Sequence, residues 1–370
     1  MLAGGNYRYE NVTTADYQGR QTLLSHAVSA NRGSVYGQLR HTLGKRLTLT
    51  GAFRMDASSL YSTQYSPRAS AVYRLTSTQS LFVSYGHAFE APNYAELYVY
   101  LPIGLPIDLS PVENSLKGLT GGVPLGLSSV PIFAIGNEHL RVERVRSAEV
   151  GYKHVFPSRT LVTLGYYHNW MKDFISDLLP GVNPDYPPYQ APAALPPSAR
   201  AIVSQTLNGI VPGLTNGPGG APWIVYSQGN GGHVTSQGVE AAVTGWLGSS
   251  WQYSSHYSWF FYNLNDDTAR AQVHPNAPQH QAFASLGYRK PRFLADLRYR
   301  WIDGFDFSSG IFHGPVPTYN VVDFGATYRL SPHWEVGANI SNLLNNQHYE
   351  EFGGDILRRL CLGYIAYSWK

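Results

Sequence analysis

The sequence predicts an all-β fold, a transmembrane antiparallel β-barrel. Three observations predict it: period-two alternation repeated along the chain, runs long enough to cross a bilayer, and connections that alternate in length. Composition frames the argument. Charged residues make up only 14% of the 370, aromatics another 14%, with 27 Tyr beside 37 Gly. A soluble domain has about a quarter of its residues charged, so something other than charge must cover this surface. A helical span needs about 20 consecutive apolar residues, and none occurs. The most apolar stretch, 101–127, is broken by Pro102, Pro106, Pro111 and Pro124. The net charge of +3 is dispersed and gives no basis for a nucleic-acid partner. Cys361 is the only cysteine, so no intramolecular disulfide or cysteine metal site can form.

The predicted strands begin with 2–10. Further on, Trp251, Tyr253, Tyr257 and Trp259 oppose Gln252, Ser254, His256 and Ser258. Phe293, Ala295, Leu297, Tyr299 and Trp301 oppose Leu294, Asp296, Arg298 and Arg300. Val322, Phe324, Ala326, Tyr328 and Leu330 oppose Asp323, Gly325, Thr327 and Arg329. Trp334, Val336, Ala338 and Ile340 oppose Glu335, Gly337, Asn339 and Ser341. Successive strand side chains point to opposite faces, so each run is apolar on one side and polar on the other. A soluble sandwich alternates too, but its strands are typically about 5–6 residues. These runs approach the roughly 9–11 that a tilted strand needs to cross a bilayer. Aromatics end the apolar faces, as Trp251/Trp259 and Tyr166/Trp170 do, which suits interfacial girdles.

Short connections are predicted at 43–45, 77–79, 156–158, 247–250, 290–291 and 331–333. Long ones lie at 11–32, 57–64, 92–140, 176–232, 265–278, 304–317 and 345–354. Short turns on one side and long loops on the other mark outer-membrane barrels, the short set being periplasmic; the count reaches about fourteen strands. The loops 92–140 and 176–232 are rich in Pro and Gly, and no secondary structure is assigned to them. No helix signal and no linker between domains is read.

Five motifs then follow in order. They are Tyr65-Ser-Pro-Arg-Ala-Ser-Ala-Val-Tyr73; Leu81-Phe-Val-Ser-Tyr-Gly-His-Ala-Phe-Glu-Ala-Pro92 with Glu96-Leu-Tyr98; Asn137-Glu-His-Leu140 with Glu143, Ser147, Glu149 and Gly151; Gln237-Gly-Val-Glu240; and Asn342-Leu-Leu-Asn345 with Tyr349. Together they resemble the barrel of TonB-dependent outer-membrane receptors. The resemblance implies the C-terminal part of a 22-stranded barrel in the Gram-negative outer membrane, residues 1–370 being a partial barrel domain. It also implies lipid contact and, in a longer receptor, a plug domain and TonB as partners. Its implied function is uptake of a scarce solute, typically a ferric siderophore. No plug, TonB box or signal peptide is visible. Glu138 stands where the family often has Pro, and Trp369 is followed by Lys370 where an aromatic usually closes the chain. A stand-alone porin-like channel of about fourteen strands stays open as an alternative.

No catalytic residue, metal site or cofactor is predicted. Neither an HExxH motif nor a Gly-x-Ser-x-Gly elbow occurs. The haem receptors that the chain resembles carry Arg where Glu90 stands, with a His between the two motifs; none lies between Pro92 and Asn137. His87, His168 and His256 read as barrel-wall residues. The inward Arg54, Arg68, Arg74, Glu149, Glu240, Asp296, Arg298, Arg300, Asp323 and Arg329 fit contacts to an anionic cargo or plug, or plain lumen lining. The Gly-rich 216–220 and 228–232 read as loop punctuation. Candidate ligand contacts are the loop aromatics Tyr94, Tyr98, Tyr100, Tyr186, Tyr189, Trp223 and Tyr226, because Tyr and Trp offer stiff, amphipathic surface.

Overall fold

The computed structural model describes residues 1–264, 275–309 and 312–369. Much of the predicted connection 265–278, part of 304–317, and Lys370 lie outside the described residues. Fourteen strands form one antiparallel sheet. They are β1 (Leu2–Val12), β2 (Val28–Leu43), β3 (Leu47–Ser58), β4 (Gln64–Arg74), β5 (Gln79–Glu90), β6 (Glu143–Val155) and β7 (Leu161–Lys172). Then come β8 (His233–Leu247), β9 (Trp251–Leu264), β10 (His280–Arg289), β11 (Phe293–Ile302), β12 (Tyr319–Arg329), β13 (Trp334–Ser341) and β14 (Leu360–Tyr367). Sheet order follows chain order, and the predicted count of about fourteen antiparallel strands is found. Among the described residues β1 and β14 do not pair with each other, and the wall is open at that seam.

The register shows why alternation was so regular. One row across seven strands reads Leu81, Tyr152, Leu164, Ala241, Tyr257, Ala282, Trp301. The next row, on the opposite face, reads Phe82, Gly151, Gly165, Glu240, Ser258, Gln281. Leu81, Leu164 and Tyr257 are 40%, 47% and 40% exposed, a continuous apolar surface that water would not tolerate and lipid does. Phe82 is the one aromatic residue in this inner row. Its ring lies over Gly151, where a Cβ would come within 2.1 Å of it.

Near the short turns the outer face carries an aromatic belt. Trp251 meets Tyr288 at 4.8 Å, Tyr288 meets Phe293 at 6.0 Å, and Phe293 meets Tyr328 at 6.5 Å. Trp334 meets Tyr367 at 4.9 Å, and Trp369 stands edge-on to Tyr367 at 5.0 Å. Rings at this height satisfy an apolar body and a wet edge together. On the inner face several predicted polar residues pair locally: Arg54 with Asp56 at 2.6 Å, Arg298 with Asp296 at 2.7 Å, and Arg300 with Glu350 at 2.7 Å.

The expectation of structureless long loops is overturned. The insertion 91–142 contains helices Tyr94–Tyr98, Ser110–Ser115 and Lys117–Thr120 and strands Tyr100–Pro102 and Ile132–Ile135. The insertion 173–232 contains a helix, Pro197–Ile210, and strands Leu179–Pro180, Leu214–Asn216 and Pro222–Ser227. The same correction applies to the predicted lack of helices. Proline starts two of these helices instead of breaking them: Pro111 and Pro197 lie in the first turn, where no intrahelical N–H is needed. The connection 304–317 also holds a hairpin, Phe305–Ser309 with Phe312–Val316.

Candidate functional site

The site lies on the long-loop, extracellular side, where the two insertions fold together. Strand Pro222–Ser227 of the second insertion pairs in parallel with Ile132–Ile135 of the first. Ile132–Ile135 in turn pairs with Tyr100–Pro102. Below this small sheet the two insertions share one core. Leu116, Leu125, Leu127 and Val130 come from the first, and Tyr189, Leu195, Val203, Leu207, Leu214 and Ile224 from the second. Val203 and Leu207 stand four apart on the helix and are both fully buried, so one helical stripe closes the core.

Polar pins fix this body. The Glu113 carboxylate accepts from the backbone N–H of Leu125 at 2.6 Å and of Leu127 at 2.9 Å. Asn137 donates to the Gln228 carbonyl at 2.9 Å. Asn183 donates to the Gly136 carbonyl at 2.9 Å, and Ser227 donates to the Ile135 carbonyl at 2.6 Å. At the roots Asn230 donates to the carbonyls of Arg141 and Asp173, so the supposed loop punctuation at 228–232 includes a structural pin. Those at Leu125, Leu127, Ile135 and Ser227 satisfy groups that would otherwise be stranded away from water.

The seven sequence-predicted aromatics divide into three sets. Tyr100 and Trp223 come together, joined by Phe133, which the sequence reading missed. Tyr100 stacks on Phe133 at 5.2 Å, and Phe133 meets Trp223 at 4.5 Å. In the parallel pair Ile132 lies opposite Ile224 in the core, so Phe133 points to the other face of the small sheet. Gly217 lies under the Trp223 ring, where a Cβ would come within 2.4 Å. Burial raises the phenol pKa of Tyr186, with smaller contributions from Tyr100 and Asp185, and its ring makes no stacking contact with the other three among the described residues. Tyr100, Phe133 and Trp223 together form a partly exposed aromatic face.

Tyr94 and Tyr98 form a second set, which ties the first insertion to the β1–β2 end. The Tyr94 hydroxyl donates to Glu10 Oε2 at 2.5 Å, and the Arg32 guanidinium lies 5.7 Å over its ring. Burial first, and then Glu10, hold the Tyr94 phenol above its ordinary value, so it remains a donor. Tyr98 stands edge-on to His26 at 5.2 Å, and its carbonyl accepts from Ser25. Tyr189 and Tyr226 complete the division. Tyr189 is 1% exposed within the shared core, and Tyr226 packs against that core. A ring sealed in a core supports the loop body and offers no face to a solute.

Beside Tyr94 the inner wall carries a cavity of about 510 Å³ lined by Arg8, Arg32, Arg54, Asp56, Tyr61 and Phe89, among others. Arg8 and Arg32 share Glu10, at 3.1 and 3.2 Å, and Arg54 grips Asp56. The group is three guanidiniums against two carboxylates. The Arg32 contact is made by its buried Nε, which meets Glu10 Oε2 as an ion pair without a formed hydrogen bond.

An open up-and-down wall, lipid-facing outside and polar inside, with a folded cap on its long-loop side, defines an outer-membrane receptor barrel. The model for the TonB dependent receptor-like β-barrel matches residues 1–343, and the chain belongs to that family. It is a family of Gram-negative outer-membrane proteins and not of enzymes. No curated protein of similar sequence matches. Among solved structures, the siderophore receptor PirA of Acinetobacter baumannii matches with TM-score 0.66 and 13% identity, over 99% of this chain and 52% of that one. A mutant of the ferric enterobactin receptor of Pseudomonas aeruginosa matches with TM-score 0.64 and 16% identity, over 99% and 50%. The FrpB iron transporter of Neisseria meningitidis matches with TM-score 0.60 and 16% identity, over 99% and 52%. The chain thus spans about half the length of the structures it matches.

Proposed function

We propose that this barrel serves TonB-coupled uptake of a scarce solute, and that the solute is a ferric siderophore. The observation that carries the reading is the aromatic face of Tyr100, Phe133 and Trp223 on a rigid loop body. Stiff rings lose little conformational entropy on gripping a ligand. The guanidinium-lined cavity beside Tyr94 suits the anionic groups that chelate iron. The similarity of fold to siderophore and iron receptors agrees with this reading. Family membership implies TonB as the source of energy and a plug as the part on which it pulls.

The test is uptake of radiolabelled iron, presented as a panel of ferric siderophores, by cells whose only receptor is the full-length protein. Uptake that stops when TonB is removed supports the reading. Uptake that continues without TonB points instead to a passive porin-like channel. If no ferric siderophore is taken up while another solute is, the barrel keeps its class and loses this cargo.

A further inference from the structure

The six short turns carry a one-sided charge. Segments 43–47, 74–79, 155–161, 247–251, 289–293 and 329–334 contain eight Lys or Arg and no Asp or Glu. The whole chain has 27 Lys and Arg against 24 Asp and Glu, so composition does not account for the bias. Half of these cations gather at two neighbouring turns: Arg289, Lys290 and Arg292 between β10 and β11, and Arg329 at the end of β12. The Arg329 backbone N–H donates to the Arg292 carbonyl at 2.8 Å, which holds the two turns side by side. Like charges opposed across a strand pair are unfavourable, and little offsets them here. Arg329 reaches Glu335 only at 3.9 Å, and Arg289 donates to the neutral Gln252 at 3.1 Å. Among the described residues the exposed side chains of Lys290 and Arg292 make no hydrogen bond or ion pair.

The turn that presents Lys290 and Arg292 is tight. The Lys290 N–H donates to the Phe293 carbonyl at 2.8 Å and the Phe293 N–H to the Lys290 carbonyl at 3.2 Å, with Pro291 and Arg292 between. Proline presets the backbone at the second position of such a turn, so both cations project from a fixed base. One layer nearer the bilayer centre stands the lipid-facing ring shelf of Trp251, Tyr288 and Phe293, continuous at centroid distances of 4.8 and 6.0 Å. Lys290 lies two residues beyond Tyr288, about 7 Å along the strand. At a 45° tilt that is roughly 5 Å closer to the periplasm, the step from an interfacial ring to a headgroup phosphate.

We infer that this turn is a binding site for an anionic phospholipid of the inner leaflet, with the phosphate between Lys290 and Arg292 and the acyl chains against the ring shelf. The Arg292 fork matches two phosphate oxygens, and Lys290 adds a point charge. The cations select an anion, and the rings one layer above them select an anion that carries hydrocarbon. An acidic protein surface would meet the cations alone. The site depends on the short turns facing the periplasm and not on which solute the receptor takes.

The test is native mass spectrometry of the full-length receptor in detergent, titrated with phosphatidylglycerol, phosphatidylethanolamine or inorganic phosphate. Wild type is expected to prefer phosphatidylglycerol. K290Q/R292Q is expected to weaken that lipid on the order of thirtyfold, since each cation near an anionic headgroup contributes roughly fivefold, and to leave phosphatidylethanolamine nearly unchanged. K290R/R292K, which keeps the charge, is expected to lose far less. K45Q/R46Q removes two cations from a turn flanked by Leu43 and Leu47 in place of stacked rings, and is expected to matter less than K290Q/R292Q. Equal affinity of wild type and K290Q/R292Q for phosphatidylglycerol overturns the inference, as does an equal loss in K45Q/R46Q, which would reduce the effect to general charge. Equal binding of the two lipids to wild type also overturns it and leaves the cations to an acidic periplasmic protein. Inorganic phosphate binding as tightly as the lipid overturns it too, leaving only an ion site. A heat-dependent gel shift shows whether K290Q/R292Q is folded. If it is not, K290Q alone decides, by a roughly fivefold loss or by none.

Discussion

The Arg141 guanidinium lies 2.7 Å from the Asp173 carboxylate, so the end of one insertion is clasped to the start of the other. The Asp173 side chain is 9% exposed, and the Arg141 side chain reaches it from solvent. Asp173 also adopts φ +60°, a conformation that Asp and Asn tolerate better than most residues. Asp173→Asn therefore keeps the backbone and removes the charge. The expected cost is about 1–3 kcal/mol of local stability. Hydrogen exchange should quicken at 132–135 and 222–227 while the barrel strands keep their protection. Unchanged exchange there would show that the clasp does not bind the insertions together.

Leu207 is fully buried where the two insertions meet. Leu207→Ala leaves a cavity, and such changes cost about 2–5 kcal/mol. Limited proteolysis should then cut within 176–222 at a rate well above wild type. The folded barrel should keep its heat-dependent mobility on a gel, because its strands pair independently of the loop core.

Tyr189 and Trp223 separate support from contact. Tyr189→Ala is expected to loosen the loop body, by about 3 kcal/mol or more as for other large aromatics, and to raise proteolysis. Trp223→Ala is expected to leave proteolysis near wild type and to weaken solute binding roughly tenfold, the effect of removing a partly exposed aromatic anchor. A titration of the bound solute, run beside the digestion, distinguishes them. Equal behaviour of the two variants in both measurements would remove the distinction.

Glu96 gives the helix Tyr94–Tyr98 a pH dependence. Burial, with a smaller contribution from the Glu90 carboxylate, raises its pKa, although the backbone N–H of Asn93 works in the opposite direction. The folded state therefore holds this proton more tightly than the unfolded state. Its stabilising contribution is present below the ordinary carboxylate value and is lost as pH rises through the raised one. Amide protection at 94–98 should increase on moving from neutral to mildly acid pH. Glu96→Gln should flatten that response, and a wild-type profile that is already flat would contradict the assignment.

The strands were legible because two solvents write on every one of them. Lipid outside and water inside force each residue of Trp251–Leu264 or Trp334–Ser341 to declare its side. No such pressure acts on the insertions, whose order comes from residues about ninety positions apart, as in Ile132 with Ile224. Some local signals were nevertheless present. Asn93 and Glu96 form a capping box, readable from their spacing. Pro197 followed by residues free of Gly and Pro up to Gly209 is a helix start. What no local pattern could reveal is the division of the aromatics. Tyr189 and Trp223 both lie in Pro-rich stretches, and only the shared core decides that one is sealed and the other open. Phe133 was passed over because its neighbours are apolar, and alternation across a short parallel pair is what turns it outward.

The parallel pairing of Ile132–Ile135 with Pro222–Ser227 has a consequence for anyone who would retarget such a receptor. Grafting 91–142 from another protein would replace half of a jointly built object. The incoming segment would meet a partner that presents the wrong edge and the wrong surface. Transplantation should succeed only when 91–142 and 173–232 travel together, which makes the pair, and not the single loop, the unit in which specificity can be exchanged.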